Sequence, residues 1–278
     1  MVQMRKKIFN DVLNDFVEVE YPPRKVVSLD PASTETLFMI GAGELVVGTD
    51  AFSYRPQEAR NRVKLGSYTH VKYEILDQLK PDIIFTTLGA QKDLTLELKR
   101  RGYPVYPLRV ATTVGEILNN ILLVGNASGR HESSRLLYRS LLNRLNTLPS
   151  PKIRPAVYVE LDLGGPITPG FPSHISDGIW LAGGKNVFDH LTDAYVEPSS
   201  DQLMELQIDL VIYEPKKERQ EELQRFKDSL RTRGLFKLLD VPMYVTKGDF
   251  LAHQGPSFVQ EVIPWINEVI FSWLQTKK

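Results

Sequence analysis

Short apolar runs, punctuated by turn residues, alternate along this chain with stretches whose apolar positions recur at helical spacing. Phe16-Val-Glu-Val-Glu20 alternates with period two. Facing Lys7-Ile-Phe-Asn10 across a turn at Asn14-Asp15, it predicts a polar hairpin over residues 5–22, ended by Pro22-Pro23. Val26–Leu29 predicts a strand, Asp30–Ser33 a turn, and Thr34–Ile40 a helix capped by Ser33. The same alternation predicts a strand at Leu45–Gly48, a helix over Val71–Leu79 broken by Pro81, and a strand at Ile83–Thr86. A helix over Leu94–Arg101 stopped by Gly102 and a strand at Val105-Tyr106 follow. Two helices then come without a strand between them, Val114–Ala127 and Gly129–Leu148, the second striped by leucines at 137, 141, 142, 145 and 148. From Ala156 the alternation resumes: a strand, a Gly/Pro-rich loop over Gly164–Pro172, a helix to Leu181, a second loop to Ser199, and a helix from Ser200. The strand Leu210–Tyr213, a charged helix over Lys216–Arg231, the strand Met243–Val245 and a last helix from Pro256 complete it. Such alternation predicts α/β architecture with parallel sheets covered by helices on both faces.

The pattern repeats itself. Glu74-Ile-Leu-Asp-Gln-Leu-Lys-Pro-Asp-Ile-Ile-Phe85 returns in outline as Asp201-Gln-Leu-Met-Glu-Leu-Gln-Ile-Asp-Leu-Val-Ile212. Both copies open on a carboxylate, place leucines two and five positions later, and set an Asp eight positions later. Ile40–Val46 is echoed more faintly by Leu181–Val187. One repeat about half a chain apart predicts two doubly wound, Rossmann-like lobes and a ligand cleft. The boundaries read as residues 1–127 for an N-terminal ligand-binding lobe, 128–150 for a connector helix, and 151–278 for a C-terminal ligand-binding lobe. A helical connector without Gly/Ser-rich composition predicts limited closure.

Composition narrows the chemistry. At 278 residues and 42% apolar the chain can form two cores. Lys plus Arg balance Asp plus Glu, 34 against 34, so no electrostatic reason exists to expect nucleic acid. The absence of cysteine excludes disulfides, thiolate metal sites, iron–sulfur clusters and cysteine nucleophiles. No run of about eighteen apolar residues predicts a membrane span. The N-terminal residues lack the apolar core of a secretory signal, so either a signal was removed or none existed.

Lys7-Ile-Phe-Asn-Asp…Tyr21-Pro-Pro-Arg-Lys-Val-Val-Ser-Leu-Asp-Pro-Ala-Ser-Thr-Glu35 resembles the opening of substrate-binding proteins that serve ferric-siderophore, haem and vitamin B12 ABC importers. Leu79-Lys-Pro-Asp-Ile-Ile84, Leu181-Ala-Gly-Gly-Lys-Asn-Val-Phe188 and Gly255-Pro256 carry the likeness onward, from about Lys6 to the C-terminus. The resemblance implies two doubly wound α/β lobes joined by one long helix, with the ligand between them. It implies no intrinsic cofactor and no enzyme: the chain would bind an iron chelate (siderophore or haem) or cobalamin and deliver it to an ABC permease dimer, as a monomer. It implies an extracytoplasmic setting, with a cytoplasmic one left open by the missing signal. It further implies that Glu74 and Asp201, which start the two repeats, meet arginines of the permease. Asp201 is one methylene shorter than the glutamate such a role calls for. The plain alternative is that both acids cap helices.

Candidate ligand residues come from the loops at the C-terminal ends of the strands. Tyr54, Tyr68, Tyr195 and Phe250 offer aromatic faces to a flat macrocycle or catecholate. In the vitamin B12 binder of the resembling family, tryptophans hold the corrin at the places aligning with Tyr68 and Tyr195. Arg55 and Arg109 could meet an anionic group. His70, His174 and His253 fall in predicted loops, and with Asp249 raise the thought of a metal site. No two have a ligand-pair spacing, so none is assigned; His253 is kept as a ligand-binding residue. No catalytic set is assigned. Gly41-Ala-Gly43 follows a helix and precedes a strand, the reverse of a dinucleotide fingerprint, and no phosphate-binding loop or nucleophile elbow is present. The competing readings are a two-lobe α/β enzyme such as a nucleotide-sugar transferase, and an intracellular corrinoid- or chelate-binding protein.

Overall fold

The structure is a computed structural model describing residues 3–277. Two compact units emerge: the first holds residues 1–110, 115–142 and 254–256, the second residues 111–114, 143–253 and 257–278. The division of the chain passes inside its longest helix, between Leu142 and Asn143.

The first unit opens with the hairpin β1 (Met4–Asn10) and β2 (Asp15–Tyr21), antiparallel with Asn10 opposite Asp15. Then come β3 (Val26–Ser28), α1 (Pro31–Met39), β4 (Val46–Thr49), β5 (Val63–Lys64), α2 (Tyr73–Leu79), β6 (Ile83–Thr87), α3 (Lys92–Arg100) and β7 (Val105–Leu108). Strands β5-β4-β3-β6-β7 form one parallel sheet. Period-two alternation divides its apolar residues between two faces. Val26, Ile83 and Phe85 pack with Leu37, Val124 and the hairpin's Val17 and Val19. Val27 and Ile84 pack with Leu76, Leu94 and Leu98 of the helices on the other side. Helices α4 (Val114–Ala127) and α5 (His131–Asn146) follow. At about 1.5 Å per residue, the 16-residue α5 is about 24 Å long.

The second unit contains β8 (Ala156–Asp162), β9 (Pro166–Pro169), α6 (His174–Leu181), β10 (Lys185–Asn186), β11 (Tyr195–Val196), α7 (Ser200–Glu205), β12 (Leu210–Glu214), α8 (Glu222–Thr232), β13 (Met243–Val245) and α9 (Ile263–Thr276). Strands β10, β8, β12 and β13 run parallel. Tyr158, Val211, Phe226 and Leu230 lie in the core on one face.

The repeat has a structural meaning in both units. Leu76 and Leu203, two residues after the leading carboxylates, are fully buried. The repeated aspartates clamp the start of a neighbouring strand: Lys25 N–H donates to Asp82 Oδ2 at 2.9 Å, and Ala156 N–H to Asp209 Oδ2 at 2.9 Å. The aspartates' own N–H groups return bonds to the carbonyls of Lys25 and Ala156, each at 2.8 Å. The fainter echo matches only with a one-residue offset, because the left-handed glycines that end α1 and α6 are Gly41 (φ 71°) and Gly183 (φ 99°).

Four expectations are corrected. Helix α1 is capped by Asp30, whose Oδ2 accepts from Ser33 N–H at 2.8 Å; Pro31, preorganised for the first turn, moves the start three residues upstream of Thr34. The Gly164–Pro172 segment contains the strand β9, antiparallel to β8, and Tyr195-Val196 adds β11 beside it. Proline concealed β9, yet an edge strand tolerates a missing N–H. Helix α8 begins at Glu222, leaving residues 215–221 as a loop. His174 is not in a loop: it is the first residue of α6 and fully buried.

Candidate functional site

In the first unit the candidate loops leave the C-terminal ends of β3, β4, β5 and β6. Tyr54 and Arg55 follow a turn fixed by buried Asp50, which accepts from Phe52 N–H at 3.0 Å, Ser53 N–H at 3.1 Å and the Ser53 hydroxyl. Ser53 in turn meets Thr34 (2.9 Å), and Thr34 donates to Ser28 (2.8 Å). Lys64 reaches the Ser53 carbonyl at 2.7 Å and Thr49 Oγ1 at 2.8 Å. Burial pushes the Asp50 carboxyl up and holds the Lys64 ammonium down. The guanidinium groups of Arg55 and Arg60 lie 5.6 Å from the Tyr54 ring.

Tyr68 is half-buried, with its hydroxyl 3.0 Å from Thr87 Oγ1. Desolvation, and then Asp30, push its phenol up, so it stays a neutral donor with a face available for stacking. Gln91 sets this arrangement. Its Nε2 donates to the carbonyls of Leu29 (2.5 Å) and Tyr68 (2.6 Å), while its Oε1 accepts from Thr87 N–H at 2.8 Å. One fully buried amide thus ties the ends of β3 and β6 to the Tyr68 loop. We expect Gln91→Leu to cost about 2 kcal/mol in urea unfolding, because two carbonyls and an N–H lose partners in the interior. Arg109 is paired with Asp11 at 3.3 Å on the hairpin side, and so is engaged.

In the second unit a parallel device carries Phe250. Glu214, the last residue of β12, is buried and accepts from the N–H groups of Phe250 (3.0 Å), Leu251 (2.5 Å) and Ala252 (3.0 Å), and from Thr246 Oγ1 (3.0 Å). His174 bonds the Leu251 carbonyl through Nε2 at 2.9 Å and packs edge-on against Phe258 at 4.7 Å. Desolvation, against that bond, holds His174 down to about 4. Phe250 meets Trp265 edge-on at 5.7 Å. Tyr195 is 38% exposed on β11. Desolvation pushes its phenol up, with Glu214 nearby adding to this and a bond to the Ser173 side chain opposing it. His253 is buried and engaged, and His70 lies exposed with Nδ1 2.9 Å from Thr69 Oγ1. Among the described residues no three His, Asp or Glu side chains come together as a metal set.

Glu74 and Asp201 occupy equivalent places. Each is the second residue of its helix, α2 or α7, and each is exposed. Both helices run into a core strand from the opposite direction, so both acids lie toward the C-terminal edge of their sheets, the edge that also carries the aromatic loops. The capping duty falls elsewhere in α7: Ser199 accepts from Gln202 N–H at 3.2 Å in a capping box. In α2 the residue before the helix is Lys72, and no side chain caps the end. Neither acid is therefore spent on a cap.

Sequence reasoning found the loops but not Gln91 or Glu214 as their holders. The signal available was a polar residue at the end of an apolar strand, Glu214, or just before the helix that follows one, Gln91, which periodicity alone does not separate from a solvent-facing one.

A family model described as periplasmic binding protein matches residues 26–235. An uncharacterized ABC transporter substrate-binding lipoprotein, YvrC, of Bacillus subtilis is 29% identical over 142 residues, covering 50% of this chain and 45% of that protein. A cobalamin-binding protein of Halobacterium salinarum is 23% identical over 211 residues, covering 73% of this chain and 57% of its own length. The chain thus spans about half the length of these curated relatives. Among solved structures, the apo periplasmic heme-binding protein RhuT of Roseiflexus sp. RS-1 is similar with a TM-score of 0.75, at 18% identity over 90% of this chain and 98% of that one. That likeness shows the fold.

Proposed function

The chain belongs to the periplasmic binding protein family, and on that premise we propose that it binds an iron chelate or cobalamin and hands it to an ABC permease. Membership of a family of transport-associated binding proteins supports a place of work outside the cytoplasmic membrane and a role in transport. One observation carries the reading: in each unit, aromatic side chains sit on loops pinned by a buried polar residue, Tyr68 by Gln91 and Phe250 by Glu214. Preorganised aromatic faces bind a flat macrocycle with little loss of conformational entropy. Tyr54, Tyr68, Tyr195 and Phe250 are the stacking residues, Arg55 meets peripheral acids, and His253, in the same loop segment as Phe250, completes the ligand-binding set. The cobalamin named for the Halobacterium protein and the heme named for the Roseiflexus protein are the first ligands to try. A ferric siderophore is the third.

Glu74 and Asp201 are the docking acids for the two halves of the permease dimer. Their exposure and matched places at the second position of α2 and α7 support this role. We expect Glu74→Ala/Asp201→Ala to leave chelate affinity within about twofold while reducing uptake roughly tenfold or more, since interfacial charge pairs contribute about 1.5 kcal/mol or more each. Uptake of radiolabelled cyanocobalamin, haemin and a ferric hydroxamate, in native cells with the gene deleted and restored, tests the whole assignment. Loss of one uptake on deletion, rescued by the wild-type gene alone, supports it. Unchanged uptake of all three on deletion contradicts it.

A further inference from the structure

Beyond the aromatic loops, the second unit carries a strongly cationic concavity of about 350 Å³. Lys216, Lys217, Arg219 and Arg225 surround it, against two carboxylates, Asp162 and Glu222, with Tyr213 also in the lining. It lies where β8 ends at Asp162 and β12 ends at Glu214, the edge at which open parallel sheets receive ligands. The four cations form no ion pair among the described residues, whereas arginines at the other end of α8 are taken. Arg231 pairs with Asp228 at 2.5 Å, and Arg233 grips Glu160 through two bonds at 2.7 and 2.9 Å. Unpaired like charges converging on one hollow repel one another, and an anion relieves that repulsion. The lining is backed by packed aromatics: Tyr213 is 8% exposed and stacks on Phe226 at 4.1 Å. Desolvation, and then Asp162, push its phenol up to about 12, so it remains a hydrogen-bond donor.

We propose that this concavity is an oxyanion subsite that receives a carboxylate or phosphate group of the chelate ligand. The proposal rests on the chelate-binding reading given above. It selects chelates with peripheral acid groups over those whose rim is uncharged, and Lys216, Lys217, Arg219 and Arg225 are the selecting residues.

Amide NMR of the full chain tests it with citrate and with inorganic pyrophosphate as probes, at ionic strength held constant with sodium chloride. We expect saturable shifts confined to residues around 213–225. Lys216→Gln/Arg219→Gln should weaken the response roughly tenfold, and Arg139→Gln, on α5, should leave it unchanged. A response to citrate alone assigns a carboxylate, and one to pyrophosphate alone a phosphate. Shifts no larger than chloride gives, or binding seen only with phosphatidylglycerol vesicles, would overturn the subsite. Parallel titration with cyanocobalamin, haemin and a ferric hydroxamate separates the two claims. A chelate with peripheral acid groups, such as haemin, that binds with unchanged affinity in the double variant, or binding of the ferric hydroxamate alone, removes the subsite and leaves the transport reading standing. Anion shifts in a chain that binds no chelate remove the transport reading, and with it the subsite's proposed occupant.

Discussion

Replacing Glu214 by alanine is expected to cost about 3 kcal/mol of stability and to abolish chelate binding, measured by urea unfolding and by titration. The carboxylate is 3% exposed and gathers three consecutive N–H groups, those of Phe250, Leu251 and Ala252, together with the Thr246 hydroxyl. Each bond to a charged acceptor contributes about 1.5–3 kcal/mol, while desolvation opposes the ionised form and outweighs the bonds in setting the carboxyl's pKa. Without the acceptor, the buried Leu251 N–H and the half-buried N–H groups of Phe250 and Ala252 lose their partner, and the Phe250 loop has no anchor. Glu214→Gln is the milder change, because its amide keeps one acceptor oxygen but turns a donor toward N–H groups. The charge also has a pH signature. Burial pushes the Glu214 carboxyl above its ordinary value of 4.5, against the bonds from Leu251, Ala252, Phe250 and Thr246. The folded chain therefore holds this proton more tightly than the unfolded chain. Stability from this group is present below pH 4.5 and is lost as pH rises through the raised folded value. Glu214→Gln removes that slope.

Acidification is expected to act through His174 in the opposite sense. Its imidazole is fully buried, bonded to the Leu251 carbonyl and packed on Phe258. Desolvation, only partly opposed by that bond, lowers it from 6.5 to about 4, with His253 adding to the effect. The unfolded chain thus takes up a proton near pH 6.5 that the folded chain refuses until about pH 4. Stability from this residue is complete above pH 6.5 and falls as pH drops through that window, by about 3 kcal/mol. His174→Gln cannot titrate and should show none of this loss, whatever its cost at neutral pH. The two residues grip the same three-residue segment, so wild-type stability is a partial cancellation above pH 4.5, where the raised Glu214 carboxyl and His174 titrate together. Glu214→Gln should therefore steepen the acid loss, and His174→Gln should make stability rise on acidification. Identical profiles for the two variants and the wild type would refute both assignments.

Much of the architecture was legible because periodicity encodes it. Val26-Val27 and Ile83-Ile84 divide cleanly between the two faces of one sheet, as a doubly covered strand requires. The Glu74 and Asp201 repeat is legible for a mechanical reason: Leu76 and Leu203 fill the core, and Asp82 and Asp209 clamp adjoining strands. What failed was local. Proline in β9 masked an edge strand, and Pro31 moved a cap from Ser33 to Asp30. His174 reads as a loop histidine because the turn residues before it suggest one, yet Ser173 starts a helix that drives the ring inward. Gln91 and Glu214 were hidden because their roles depend on backbone groups 62 and 36–38 residues away, which no sequence window contains.

The central claim is that this chain binds a metal chelate, and intrinsic fluorescence reads it directly. Trp265 lies against Phe250, so a ligand stacked on that ring should quench it. Titration of the purified chain with cyanocobalamin, haemin and a ferric hydroxamate should give saturable, one-to-one quenching with at least one of them, weakened when Tyr68 and Tyr195 are replaced by alanine. Failure of all three to saturate, with turnover of a nucleotide sugar instead, would contradict the account.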